Sequence, residues 1–167
     1  FSTENWDRPE DEVQSLLDVL GAVMKYEIDD LHRENVKIRH MGRLDRLSVQ
    51  LQQSIIDSIH LTQNNSGITL VGAFDYGGRD DILNAVRQIV SEGIPPNRIT
   101  EELIGRYLYT SDIPDPDLVI RTAGEMRLSN FLLWQSAYSE YYSTPVFWPD
   151  FDEIEVDKAM KAYSQRQ

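Results

Sequence analysis

The 167 residues predict an α/β fold: a parallel central sheet flanked by helices. Two observations carry that reading. Amphipathic helical stretches alternate with short apolar runs along the whole chain, the pattern of strands joined by helical crossovers. Ile68 to Phe74 is nearly all apolar, as a strand covered on both faces must be.

The elements follow in order. Pro9 with Glu10, Asp11 and Glu12 is a helix-start signal. Val13, Leu16, Leu17, Leu20, Met24, Ile28 and Leu31 then recur at helical spacing and predict one long amphipathic helix over 9–34, stopped near Asn35. Val36 to Met41 reads as a strand ended by Gly42. A second helix runs from Ser48 to Thr62, with Leu51, Ile55, Ile56 and Ile59 on one face. After the strand at 68–74, the Gly77-Gly78 turn leads into a helix from Asp80 to about Glu92. Thr100 caps a short helix reaching Leu108, and Asp117 to Ile120 is a further strand. The remaining predicted elements are a helix from Asn130 to Tyr138, a short strand at Val146-Phe147-Trp148, and a terminal helix over 152–166.

Composition narrows the function. An apolar content of 41% supports a real core, and the length suits one domain. With 28 acidic against 16 basic residues the net charge is −12, which disfavours nucleic acid and anionic lipid as partners. An anionic substrate would therefore need arginines concentrated locally. The chain has no cysteine, so disulfides, thiolate nucleophiles and cysteine-based zinc sites are excluded. No run approaches the roughly 18 apolar residues of a spanning helix. These features agree with a cytoplasmic address, with peripheral membrane association allowed.

Ligands of such sheets sit beyond the carboxyl ends of the strands. Three segments would gather there: Phe1 to Arg8, Asp75 to Arg79, and Arg121 to Asn130. In the last, Arg121 and Arg127 lie in a loop that leaves a strand and enters the predicted helix, with Ser129 and Asn130 at its start. Guanidinium forks, a hydroxyl and a helix N-terminus suit a diphosphate. An ordinary N-cap with arginines paired to nearby acids accounts for the same residues. Gly77-Gly78 lacks the spacing of a nucleotide fingerprint and reads better as a tight strand-to-helix turn. Glu140 is a candidate Mg²⁺ ligand or a solvated surface group. His32, His40 and His60 show no metal-ligand spacing.

Four ordered motifs resemble those of cis-prenyltransferases of the undecaprenyl diphosphate synthase type. They are Phe1-Ser2-Thr3-Glu4-Asn5-Trp6 with Arg8-Pro9; Tyr76-Gly77-Gly78-Arg79; Arg121-Thr122-Ala123-Gly124-Glu125 with Arg127, Ser129, Asn130 to Gln135, Tyr138 and Glu140; and Trp148-Pro149-Asp150-Phe151. The resemblance implies repeated addition of isopentenyl diphosphate to an allylic diphosphate such as farnesyl diphosphate, with cis geometry and Mg²⁺ assisting loss of the allylic diphosphate. It places Arg121, Arg127, Leu128 and Ser129 on isopentenyl diphosphate and Glu140 on Mg²⁺. Asn5 falls near the proton removed, and Ser2, Thr3, Glu4, Trp6 and Arg8 line the allylic side. It also implies a homodimer, a membrane-destined product, and a product channel walled by the first long helix, with Leu16, Leu17, Leu20 and Met24 as candidates. Plain core packing would explain those four equally.

The chain departs from the family pattern in several places. The Asp-Gly-Asn loop of the first family strand does not occur in it, nor does the basic C-terminal tail. The resemblance thus implies an incomplete single domain with the first strands missing, and no turnover by these residues alone. Ala123 stands at a usual glycine, and Asp75 where Asn is common. Two other readings remain: a non-catalytic partner subunit, which would have no need of Asn5, Arg121, Arg127 and Ser129, and an α/β phosphate-binding module indifferent to isoprenoid tails.

Overall fold

A computed structural model describes residues 1–166. Residue contacts divide the chain into two compact units, Phe1–Asp81 and Ile82–Gln167.

In the first unit, β1 (Lys37–Met41) and β2 (Thr69–Ala73) pair in parallel, from Lys37 opposite Thr69 to Met41 opposite Ala73. Between them runs α3 (Val49–Thr62), its first turn capped by the Ser48 hydroxyl, which accepts from the Leu51 amide at 3.3 Å. Thr62 is fully buried and fastens the far end. Its Oγ1 donates to the Ser58 carbonyl at 2.8 Å and accepts from the Ile38 amide at 2.9 Å. The core forms where Leu20 meets Leu47, Leu51 and Ile55, with Trp6, Leu17, Met24, Leu44, Ile59 and Phe74 packed around them.

The long helix predicted over 9–34 is two helices, α1 (Glu10–Tyr26) and α2 (Ile28–Arg33), joined at Glu27. Tertiary packing overrides the continuous periodicity here. Ile28 and Leu31 of α2 line the same apolar cavity as Leu20 and Met24 of α1. Residues Phe1 to Thr3 run alongside the chain after β2: the Tyr76 amide donates to the Phe1 carbonyl at 3.3 Å, and the Thr3 amide donates to that of Tyr76 at 3.1 Å.

The helix α4 (Gly78–Ser91) opens at the end of the first unit, directly on the Gly77-Gly78 turn as the sequence predicts. The second unit continues with α5 (Glu101–Tyr107), whose Thr100 hydroxyl accepts from the Leu103 amide at 3.1 Å. Then come β3 (Leu118–Arg121) and β4 (Glu140–Ser143), paired in parallel, and α6 (Glu153–Ser164), capped by Asp152.

Two predicted elements do not form. No helix occupies 130–138, because Ser129, Asn130 and Leu132 take left-handed φ values of 48°, 61° and 46°, from which a right-handed helix cannot propagate. The expected strand at 146–148 is absent as well, and Trp148–Asp150 is a single 3₁₀ turn with proline inside it. The last strand is instead Glu140–Ser143, where adjacent tyrosines suit an extended ladder.

Candidate active site

In the first unit the chemistry begins with a 3₁₀ turn, Thr3–Asp7. Asn5 closes it: its Oδ1 accepts from the Ser2 amide at 2.7 Å and from the Ser2 hydroxyl at 3.1 Å. An oxygen that accepts from a main-chain N–H must be the carbonyl end of the carboxamide. Asn5 therefore has its Nδ2 donors left for a ligand. Thr3 donates to Glu4 at 3.0 Å, and Arg8 lies 3.8 Å from Glu12 on the surface. Trp6 packs its ring edge-on against Phe1. Its indole N–H donates to Asp75 at 2.9 Å, and Asp75 is also gripped by Arg46. Tyr76 and Asp81, both buried, share a hydrogen bond of 3.1 Å next to the Gly77-Gly78 turn.

Several cavities border α1, and two of them hold the residues of interest. An open cleft of ≈ 580 Å³ is lined by Trp6, Arg8, Val13, Leu17, Arg46 and Leu51, among others. A second cavity of ≈ 250 Å³ is almost wholly apolar, with Leu20, Met24, Ile28, Leu31, Ile55 and Phe74 in its wall. Of the four residues considered for a channel, Leu20 and Met24 line this cavity and Leu17 lines the cleft, whereas Leu16 is exposed at 42%. His40 also borders the apolar cavity, its ring stacked on Phe74 and its Nε2 3.2 Å from the Phe74 carbonyl. Burial holds its pKa below the ordinary histidine value, against the opposing pull of that carbonyl and of Asp75. An uncharged imidazole suits an apolar wall.

In the second unit Arg121 ends β3, at the carboxyl edge where ligands of parallel sheets collect. Arg121 and Arg127 both pair with Glu125, one on each carboxylate oxygen. The hydrogen bond from Arg121, aided by Arg127, holds Glu125 below the usual carboxylate range, against a smaller desolvation effect. Ala123 (φ 61°) and Gly124 (φ 67°) turn the chain, their amides donating to the Val146 and Thr144 carbonyls at 2.8 Å each. Leu128 is half-buried and Ser129 exposed. The helix N-terminus expected at Ser129-Asn130 is not formed, so no helical amides support an anion there. The two arginines are paired with a nearby acid, as the plainer sequence reading allowed.

Glu140 opens β4 opposite Leu118, three ladder positions from the Arg121–Ser143 pair, about 10 Å along the strands. It does not follow the arginine loop on a helix. Its carboxylate accepts from Arg166 Nη1 at 2.9 Å. Among the described residues no three acidic or histidine side chains cluster as a metal cage. Magnesium commonly takes one or two protein carboxylates and completes its shell with phosphate and water. The residues fit that one-carboxylate arrangement and do not fit an all-protein cage.

Sequence reasoning missed Arg46, which sits in no recognised pattern, and gave Asp75 no role beyond opening a candidate segment and departing from a common Asn. The available signal was an acid placed directly after an apolar strand, where an unpaired carboxylate would be costly.

The whole chain, residues 1–167, matches the prenyltransferase family model described as "Putative undecaprenyl diphosphate synthase". It is 50% identical to an isoprenyl transferase of Fusobacterium nucleatum, covering 100% of this chain and 71% of that relative. It is 46% identical to an isoprenyl transferase of Neisseria gonorrhoeae, covering 100% of this chain and 66% of that protein. The chain thus spans about two thirds of the curated relatives it matches. The crystal structure of lavandulyl diphosphate synthase from Lavandula x intermedia, in complex with dimethylallyl diphosphate, is similar with a TM-score of 0.93 at 36% identity, covering 98% of this chain and 72% of that one. That of "a probable undecaprenyl diphosphate synthase" from Campylobacter jejuni gives 0.90 at 30% identity, with coverages of 100% and 78%. The chain belongs to the undecaprenyl diphosphate synthase family of prenyltransferases.

Proposed function

We propose that the protein from which these residues act condenses isopentenyl diphosphate onto an allylic diphosphate with cis geometry, building a polyprenyl diphosphate. The observation that carries the reading is the Arg121–Glu125–Arg127 arrangement at the end of β3. Two guanidiniums aimed at one carboxylate present the donor fork that a diphosphate takes over. Leu128 and Ser129, next in the loop, complete the isopentenyl side.

In the reaction the allylic carbon–oxygen bond breaks and diphosphate leaves with the electron pair. The terminal carbon of the isopentenyl double bond joins the allylic carbon, and a proton leaves the isopentenyl unit. Ser2, Thr3, Glu4, Trp6 and Arg8 are the allylic-side residues in this reading. Asn5 is assigned to the proton-removal step in this reading; its neutral carboxamide offers N–H donors, so its part is to orient a diphosphate oxygen that takes the proton. The apolar cavity beside Leu20 and Met24 gives a growing hydrocarbon chain a place free of water. Glu140, released from Arg166, is the proposed Mg²⁺ ligand. When bound, the ion neutralises charge developing on the departing diphosphate. A homodimer at the membrane's cytoplasmic surface is the proposed setting; among the described residues no helix is long and apolar enough to cross a membrane.

Titration of the chain with isopentenyl diphosphate tests the reading. Arg127→Ala should weaken binding at least tenfold, about 1.4 kcal/mol, and unchanged affinity removes Arg127 from the site. These residues contain no Asp-Gly-Asn sequence, and turnover is expected only when a segment carrying it is supplied. Turnover by the 167 residues alone would refute that requirement.

A further inference from the structure

Asp75 stands just beyond the carboxyl end of β2, fully buried, with a left-handed backbone (φ 50°). A carboxylate withdrawn from water requires charge partners and hydrogen bonds. Arg46 supplies both, through Nε to Oδ2 at 2.8 Å and through Nη2 to Oδ1. Trp6 adds its indole N–H at 2.9 Å. The Arg46 guanidinium also lies over the Trp6 ring, 5.1 Å from its centroid. The Asp75 main chain is fixed too, its carbonyl accepting from the Arg43 amide at 3.2 Å. Trp6 is the chain neighbour of Asn5, whose carboxamide is closed onto Ser2. Asn5 and Trp6 share one 3₁₀ turn, and the Trp6 ring in that turn is held by Asp75 and Arg46.

We infer that the Arg46–Asp75 pair is a positioning element that sets Trp6, and through it Asn5, for the allylic diphosphate. The inference rests on reading Ser2 to Arg8 as the allylic side. Asp75 acts from behind the indole, fully buried, while Arg46 forms part of the cleft wall.

The test uses the isotopically labelled chain, with dimethylallyl diphosphate and isopentenyl diphosphate as probes. Asp75→Ala should speed exchange of the Trp6 indole proton roughly tenfold or more, and weaken dimethylallyl diphosphate binding by about fivefold or more. Isopentenyl diphosphate affinity should stay within about twofold, since Arg121 and Arg127 are untouched. Asp75→Asn keeps an acceptor for the indole and tolerates the left-handed backbone but loses the charge pair with Arg46, so it should restore both signals only in part. A folded Asp75→Ala chain with unchanged indole exchange overturns the inference. Equal loss of both affinities also overturns it, because that is what general damage produces. Should Asp75→Ala fail to fold, Arg46→Gln read by the same signals decides. If Trp6→Phe and Asn5→Ala leave dimethylallyl diphosphate affinity unchanged, the allylic-side reading itself falls. The exchange signal would then still report whether Asp75 governs Trp6.

Discussion

The two units hold their charged site residues in opposite ways. In Phe1–Asp81 the key carboxylate, Asp75, is fully buried and shared between Arg46 and Trp6. In the second unit Arg127 is 65% exposed and Arg121 38%, and both rest on Glu125 in a loop. Burying the carboxylate of an ion pair fixes geometry and makes loss of its partner costly to stability, because a lone buried charge costs several kcal/mol. Exposed pairs contribute about 0–1 kcal/mol, so under the proposed function an incoming diphosphate displaces Glu125 at little cost. The first arrangement orients a side chain; the second leaves room for an anion.

Substitutions that separate folding from binding sharpen this contrast. Ile55 is 2% exposed at the centre of the first unit's core. Ile55→Ala should destabilise by about 2–5 kcal/mol and, measured where the chain is still folded, leave isopentenyl diphosphate affinity unchanged. Denaturant melts with parallel titrations decide; a coupled loss of affinity would show that the contrast is false. Arg127→Ala should do the reverse, losing affinity with little change in the melt.

Ala123→Gly carries a smaller effect of opposite sign. The left-handed backbone at Ala123 (φ 61°) strains any L side chain, and glycine removes the strain. A gain of up to about 1 kcal/mol is expected, read as a higher melting temperature. A drop would mean that the alanine methyl packs in a way its exposed position does not suggest.

The smallest effect concerns pH. The pKa of Glu125 is lowered by Arg121 and Arg127, so its pairs stabilise the folded chain above the ordinary carboxylate range. That contribution fades as pH falls through the lowered folded value. Glu125→Gln should narrow the difference between melts at neutral and acid pH, and parallel curves for the two proteins would show that the pairs contribute nothing.

Much of the first unit was legible in the sequence. Ser48 and the Ile55 face are signals with local causes, and α3 and β1 formed as read. β2 formed where the apolar run placed it, but the run is not covered on both faces as expected: Ile68 is 75% and Leu70 51% exposed. The break at Glu27 was not legible, because it serves an apolar cavity shared with residues distant in sequence. The second unit misled where the apolar run Phe131-Leu132-Leu133-Trp134 imitated a helix. Left-handed turns at Ser129, Asn130 and Leu132 decide that segment, and no spacing rule announces them. The proposed site residues come from ordered motifs, whereas Arg46 and the burial of Asp75 required the fold.

Gly42 gives this arrangement a genetic consequence. A β-carbon there would lie 2.2 Å from the Phe74 carbonyl oxygen and 3.0 Å from that of Asp75. Any replacement must push this backbone away, dragging the carboxylate behind the indole with it. In a saturation screen scored by growth or product, Gly42 would rank with the proposed active-site positions because of the backbone it crowds. A map drawn from such phenotypes alone would extend the site well past the atoms that perform the reaction.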